Sequence, residues 1–106
     1  MANIPVNIKS GEPNCRVVPG SFRAKKPRQG TAGDSVTFNA KQIKEEVAIS
    51  FPHGIFDVDR VILNSSNGFK ETLDVQSDAP EGRHNYTVKH KNDSCVGASP
   101  PQIIID

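Results

Sequence analysis

The sequence of 106 residues predicts one all-β domain, an antiparallel Greek-key sandwich of about seven or eight strands spanning residues 1–106. Apolar and polar residues alternate with a period of two in several short segments, which is typical of strands with one buried face. Gly and Pro, eight of each, separate these segments at intervals of roughly 8–12 residues. No segment has the length and amphipathic pattern that a substantial helix needs. These three observations favour two facing layers of short strands.

The individual strands follow from the alternating segments in order. They are predicted at 4–8, at 15–18 with a continuation at 22–24, and at 34–40, 47–51, 61–63, 69–75, 84–90 and 103–105. In the clearest of them, Val36, Phe38 and Ala40 share one face. Asn67-Gly68, between two of the strands, is a typical hairpin signal. The sequence therefore predicts a β-hairpin around residue 67.

The overall charge and the N-terminal segment restrict the partners and the compartment. A formal net charge of +1 argues against a protein that binds nucleic acid through its overall charge. No segment approaches the roughly 18 consecutive apolar residues of a membrane span, so no membrane insertion is predicted. Residues 1–5 have neither a basic nor an apolar leader region. We therefore expect a cytoplasmic protein if this chain is full-length.

Four segments carry a resemblance to a known family. Gly33-Asp34-Ser35-Val36-Thr37-Phe38-Asn39 resembles the Gly-Asp-x-Val-x-Phe-x strand that precedes the first copper histidine of cupredoxin-like sandwiches. Glu46-Val47-Ala48-Ile49-Ser50-Phe51 is similar to the strand that follows it. Gly82-Arg83-His84-Asn85-Tyr86-Thr87-Val88 resembles the strand that ends on the copper cysteine, and Gln102-Ile103-Ile104-Ile105 resembles the closing strand. These patterns imply a cupredoxin-like fold, and they also fit an immunoglobulin-like sandwich.

The copper ligands of that family are replaced in this chain. A type-1 copper site needs two imidazoles and a thiolate, with a weak axial thioether. By the alignment of the strands, Glu46 stands at the position of the first histidine and Val88 at that of the cysteine. No histidine follows His90, and the one methionine is Met1. The resemblance therefore implies a retained frame without a metal or any other cofactor.

The two cysteines allow two different interpretations. Cys15 and Cys95 are too far apart for a CxxC redox motif, and two isolated thiols make a poor zinc site. If they pair, the loop of about 80 residues would add about 4 kcal/mol of stability in the chain-entropy model. If they do not pair, Cys95 near His90 is a weak candidate for a nucleophile. The sequence leaves the pairing open.

A basic segment is the candidate binding site. Arg23, Lys25, Lys26 and Arg28 lie between Glu12 and Asp34 with no acidic residue among them. Such a cluster could hold a phosphate, a polyanion or an acidic partner, and a solvated loop is the simpler interpretation. Phe22 is the one aromatic residue beside it, so the segment has few side chains on which nucleobases could stack.

The histidines and the single tyrosine receive structural roles. His84 and His90 are six residues apart, about 20 Å along one regular strand, so they cannot share a metal from it. His53 lies in a Pro-His-Gly turn. Tyr86 follows a Gly-containing turn near the start of a late strand, where sandwiches often use a tyrosine hydroxyl to brace the connection.

Taken together, the residues predict a non-enzymatic module that works by contact with another macromolecule, with a protein as the expected partner. The alternative is an anion- or polyanion-binding protein that uses the basic segment at residues 23–28. The identity of the partner and the oligomeric state stay open.

Overall fold

The chain forms eleven short strands and one 3-10 turn within residues 2–10, 15–91, 93–95 and 101–106, which a computed structural model describes. The strands are β1 (Asn3–Ser10), β2 (Cys15–Val18), β3 (Ser21–Ala24), β4 (Ser35–Lys41), β5 (Val47–Ser50), β6 (Arg60–Leu63), β7 (Lys70–Asp74), β8 (Gly82–Asn85), β9 (Thr87–His90), β10 (Asp93–Ser94) and β11 (Gln102–Ile105). The predicted all-β class is confirmed. Across the described ranges, no helix is long and apolar enough to cross a membrane.

The strands form three open sheets rather than two purely antiparallel ones. Their orders are β2-β1-β4-β7, β10-β9-β5-β6 and β3-β11-β8. Most pairs are antiparallel, but β1 pairs with β4 in parallel and β11 pairs with β3 in parallel. The prediction of antiparallel sheets was therefore wrong for these two pairs. Alternation along one strand reports which face is buried, and it carries no information on the direction of the neighbouring strand.

The predicted hairpin at Asn67-Gly68 is absent, because β6 pairs with β5 and β7 pairs with β4. The chain instead passes between the sheets through the 3-10 turn at Ser65–Asn67. The Asn64 side chain accepts a hydrogen bond from the Ser66 N–H at 3.0 Å, and the Asn67 side-chain oxygen accepts one from the Asn64 N–H at 3.0 Å. Gly68 then adopts the left-handed conformation at φ 66°. These two reciprocal hydrogen bonds satisfy backbone N–H groups at the start of the 3-10 turn. Asn67-Gly68 therefore ends a 3-10 turn here instead of closing a hairpin.

The core is built from the alternating apolar residues that the sequence singled out. Val36, Phe38 and Ala40 of β4 all point into it, as predicted. Its centre is a cluster of aromatic rings contributed by several strands and by the connection after β5, namely Phe22, Phe38, Phe51, Phe56 and Tyr86. The buried residues therefore form one apolar core with aromatic rings at its centre.

The predicted strand at residues 84–90 is divided at Tyr86. On one side, β8 pairs with β11, and on the other side, β9 pairs with β5. The Tyr86 N–H donates to the Pro101 carbonyl at 3.0 Å, so the backbone stays hydrogen-bonded at the division. One run of residues thus belongs to two sheets in succession.

Candidate functional site

Three of the four cations predicted as a binding segment are held by carboxylates of the chain itself. Arg23 donates to Asp106 at 2.8 Å. Arg28 donates to Glu81 at 3.1 Å, and the Lys26 ammonium lies 3.8 Å from the same carboxylate. The structure therefore brings these cations together with two acidic residues that are distant in sequence. Partial neutralisation makes the segment a weaker anion site than the sequence suggested.

Lys25 is the fourth cation of this segment, and its backbone is fixed while its side chain is exposed. The Lys25 N–H donates to the Asp34 carboxylate at 2.9 Å. The Asp34 N–H donates in turn to the Lys25 carbonyl at 2.8 Å. These two bonds close the loop between β3 and β4. The segment that contains Lys25 is thus a loop whose two ends are held together by hydrogen bonds.

Cys15 and Cys95 form a disulfide in the structure, with their Cα atoms 4.7 Å apart. Cys15 begins β2, whereas the Cys95 N–H donates to the Val88 carbonyl of β9 at 2.8 Å. The bridge therefore joins the first sheet to the second. Both cysteines are buried. A sulfur in a disulfide is not a thiolate, so Cys95 in this state cannot act as the nucleophile considered from the sequence.

Two of the histidines lie apart, each with its own partner. His53 is 93% exposed and lies 3.0 Å from the Asp59 carboxylate. The hydrogen bond to Asp59 and then its negative charge raise the pKa of His53 above its usual value. His84 Nε2 lies 2.7 Å from the Pro80 carbonyl oxygen. Neither imidazole shares a site with the other.

The third histidine belongs to a small charged cluster. His90 is 5% exposed, and its Nε2 lies 3.0 Å from a Glu45 carboxylate oxygen. The Lys91 ammonium lies 3.4 Å from the same oxygen. The hydrogen bond with His90 is the largest cause that lowers the pKa of Glu45, and Lys91 adds to the effect. The carboxylate is thus held in its charged form between two donors.

An open groove of about 440 Å³ lies beside this cluster on the sheet that contains β5. It is lined by Glu45, Glu46, Ala48, Arg60, Lys89 and Lys91. Charges of both signs line it, with three cations and two carboxylates. The groove therefore offers no strong preference for an anion or a cation.

The residues at the expected copper-ligand positions do not fit a type-1 copper site. Val88 is buried in the core opposite Ile49, and Glu46 is exposed. The imidazole of His90 contacts Glu45, and the sulfur of Cys95 is bonded to another cysteine. In the part of the chain that the structure describes, no group of three or more His, Cys, Asp or Glu residues could hold a metal ion. A site with two imidazoles and a thiolate cannot be assembled from these groups.

Tyr86 packs in the core as expected, but its hydroxyl does not brace a connection. Its ring lies 6.3 Å from that of Phe22 and 5.8 Å from that of Phe51, measured between centroids. The hydroxyl is buried without a hydrogen-bond partner among the described residues. Burial raises the pKa of Tyr86 well above its usual value. The predicted bracing hydrogen bond is therefore not formed with any residue that the structure describes.

The register of the first sheet creates a cationic row that the sequence did not predict. Lys9 on β1 lies directly opposite Arg16 on β2 and directly opposite Lys41 on β4. We call these three residues the cationic row. Outward-facing parity on β1 and β2 could have paired Lys9 with Arg16. Lys41 joins the row only because β1 pairs with β4 in parallel, and the alternating pattern of a single strand does not predict that pairing.

Comparison with known proteins adds no relative to this description. No family model matches the chain, and no curated protein matches it significantly. The fold and the contacts define the class by themselves: a small all-β domain with mixed open sheets and a disulfide that joins two of them.

Proposed function

We propose that this chain is a metal-free, cupredoxin-like sandwich module that acts by contact with another macromolecule and performs no catalysis. Its strand pairing supports the cupredoxin-like assignment over the immunoglobulin-like one. Immunoglobulin-like sandwiches consist of two antiparallel sheets. Here β1 is parallel to β4 and β11 is parallel to β3. The two parallel pairs therefore depart from the immunoglobulin-like arrangement.

The observation that carries the metal-free part is the identity of two residues at expected ligand positions. Val88 takes the place of the copper cysteine and fills the core with an aliphatic side chain. Glu46 takes the place of the first histidine and is exposed. The same frame is thereby used for packing where the family uses it for coordination. A carboxylate is also a poor substitute for an imidazole as a copper ligand.

The disulfide supports an oxidising compartment as the place of action. Disulfides persist outside the cytosol and are rare within it, where thiols are kept reduced. The bond between Cys15 and Cys95 joins two sheets and is buried, which is typical of a structural bridge. We therefore propose an extracytoplasmic role in place of the cytoplasmic one expected from the N-terminal residues.

The polyanion-binding alternative at residues 23–28 receives less support. Arg23 pairs with Asp106, and Arg28 pairs with Glu81. An incoming anion would have to compete with carboxylates that already occupy these guanidinium groups. We accordingly place the contact surface elsewhere on the domain.

Titration of the oxidised protein with cupric ion tests the metal-free proposal. We expect no intense visible band, because the trigonal set of two imidazoles and a thiolate is missing. A genuine type-1 copper protein serves as the positive control. The His53→Gln variant removes adventitious copper binding at this exposed imidazole. A blue band at one copper per chain would overturn the proposal.

A further inference from the structure

We propose that the outward face of the sheet β2-β1-β4-β7 binds an anionic polysaccharide, one that carries sulfate or carboxylate groups, through the cationic row. This inference rests on the proposed function as a contact module and names the partner of one face. Lys9, Arg16 and Lys41 supply the charges, and all three side chains are exposed.

The cationic row is a compact array of charge that pairs with no carboxylate among the described residues. Neighbouring strands lie about 4.8 Å apart, so the three Cα atoms span about 10 Å across the sheet. Within the described residues, none of the three forms an ion pair. Asp74 is the one carboxylate that the described strands place on this face, opposite Ser35. Six residues separate Ser35 from Lys41 along β4, which is about 20 Å.

Structural roles do not account for the cationic row. Lysine and arginine on an edge strand protect it against aggregation, which explains Arg16 on β2. Lys9 lies on the interior strand β1 and has a cation directly opposite it on each side, Arg16 on β2 and Lys41 on β4. Lys41 itself lies beyond the paired part of β4 and β7, which ends at Asn39. Like charges directly opposite each other in a sheet are destabilising. The placement of Lys9 on an interior strand between two opposing cations therefore points to an external anion that neutralises them.

The neighbouring positions on the same face supply hydrogen-bond donors. Asn7 pairs with Asn39 in register, and Asn39 pairs with Lys70 on β7. Both amides are partly exposed beside the cationic row. One strand step further, the hydroxyls of Thr37 and Thr72 lie 2.9 Å apart. Amide and hydroxyl groups of this kind can donate hydrogen bonds to sulfate, carboxylate and sugar hydroxyl oxygens.

The face suits a polysaccharide better than a nucleic acid or an acidic protein. Its outward positions on β1, β2, β4 and β7 carry no aromatic ring, so no platform exists there for stacked bases. Val18, 40% exposed, and Pro5 are its apolar residues within these strands. A stable protein interface needs a larger apolar centre with aromatic anchors. The disulfide between Cys15 and Cys95 also favours an oxidising compartment as the place where this partner would be met.

Binding of heparin, a sulfated polysaccharide, by the oxidised full chain tests the proposal. Affinity is measured by titration at several salt concentrations for the wild type and for the double variant Lys9→Gln/Lys41→Gln. We expect the variant to bind at least about tenfold more weakly at low salt. We also expect the slope of log affinity against log salt to fall by about one for each cation removed.

The matched control is the double variant Lys25→Gln/Arg28→Gln, which removes the same charge from the loop between β3 and β4. It should bind heparin within about twofold of the wild type, because charge elsewhere contributes only a screened, long-range effect. If both variants lose equal affinity, binding is a net-charge effect and the proposal fails. If the double variant of the cationic row does not fold, Arg16→Gln on the edge strand should still lower the slope by about one.

Two competing ligands distinguish the other classes of partner. Poly-L-glutamate offers carboxylates on a polypeptide, and duplex DNA offers phosphates. Tighter binding of either one than of heparin would overturn the assignment to a polysaccharide. No binding of heparin by the wild type would overturn it as well. None of these results affects the proposed metal-free module, which the copper titration tests separately.

Discussion

The ring of Tyr86 packs 6.0 Å from the ring of Phe38, centroid to centroid and nearly edge-on, while its hydroxyl stays without a hydrogen-bond partner in the described part of the chain. The ring contributes apolar contacts to the centre of the core. The hydroxyl loses its hydration on folding and gains nothing in exchange. At this position, a phenyl ring would serve the fold better than a phenol.

Tyr86→Phe is therefore expected to raise the free energy of unfolding by about 1 kcal/mol. The substitution removes a buried, unsatisfied polar group and keeps the ring. Chemical denaturation at neutral pH measures the change. Phe38→Ala is the control for the ring contacts, and it should lower stability by about 3–5 kcal/mol. A loss of stability in Tyr86→Phe would mean that the hydroxyl has a partner.

The burial of Tyr86 should also make the domain less stable at alkaline pH. The pKa of Tyr86 in the folded protein is raised by burial above its ordinary value of 10.0. The unfolded chain therefore ionises first, so the stability present below pH 10 decreases as the pH rises further. The decrease is at most about 1.4 kcal/mol per pH unit. Unfolding experiments between about pH 9 and pH 11 should show it in the wild type, and it should be smaller in Tyr86→Phe.

Removal of the disulfide should destabilise the domain strongly. The bridge closes a sequence separation of 80 residues, and the chain-entropy model gives about 4 kcal/mol for a loop of this length. The variant Cys15→Ala/Cys95→Ala should therefore unfold at a much lower denaturant concentration. Reduction of the wild type should produce a similar shift. An intact mass that shows two free thiols after purification without reductant would contradict the bridge.

The contact of Glu45 with His90 should make part of the free energy of unfolding depend on pH in the acid range. Its pKa is lowered from the usual 4.5, chiefly by the hydrogen bond with His90. Stability from this contact is thus present above pH 4.5 and is lost as the pH falls through the lower, folded-state value. Glu45→Gln should be less stable than the wild type at pH 7, and the difference should vanish in acid.

The neighbouring Glu46→Gln is the matched control for that experiment. Glu46 lines the same groove but makes no hydrogen bond or ion pair with any described residue. Because it lacks the contact with His90, Glu46→Gln should not reproduce the loss of stability expected for Glu45→Gln at pH 7. A pH-dependent difference as large as that of Glu45→Gln would show that general charge, and not the contact with His90, is responsible.

The sequence predicted the strands well because one-sided burial is a local property. Val36, Phe38 and Ala40 alternate with polar residues, and each of the three is buried. In the run from residue 82 to residue 90, Tyr86 and Val88 are buried at alternate positions, as their shared parity required. A period of two thus identifies a strand wherever one face meets the core.

The partners of these strands and the charge contacts between distant segments could not be predicted in this way. Arg28 meets Glu81 across 53 residues, and Arg23 meets Asp106 across 83 residues. The cationic row likewise depends on a parallel pair between β1 and β4. The structure therefore partly neutralises the basic cluster of the sequence, and it brings cations from separate segments together in the cationic row. Tertiary register, which no short segment encodes, decides both outcomes.

The division of one run at Tyr86 also bears on how the domain comes apart. Residues 82–85 pair with β11 and residues 87–90 pair with β5, so one continuous run of backbone belongs to two sheets. Neither sheet can melt without releasing the run that anchors the other. Amide hydrogens of β5 and β11 should consequently exchange with solvent in one shared opening event, at equal protection, rather than sheet by sheet.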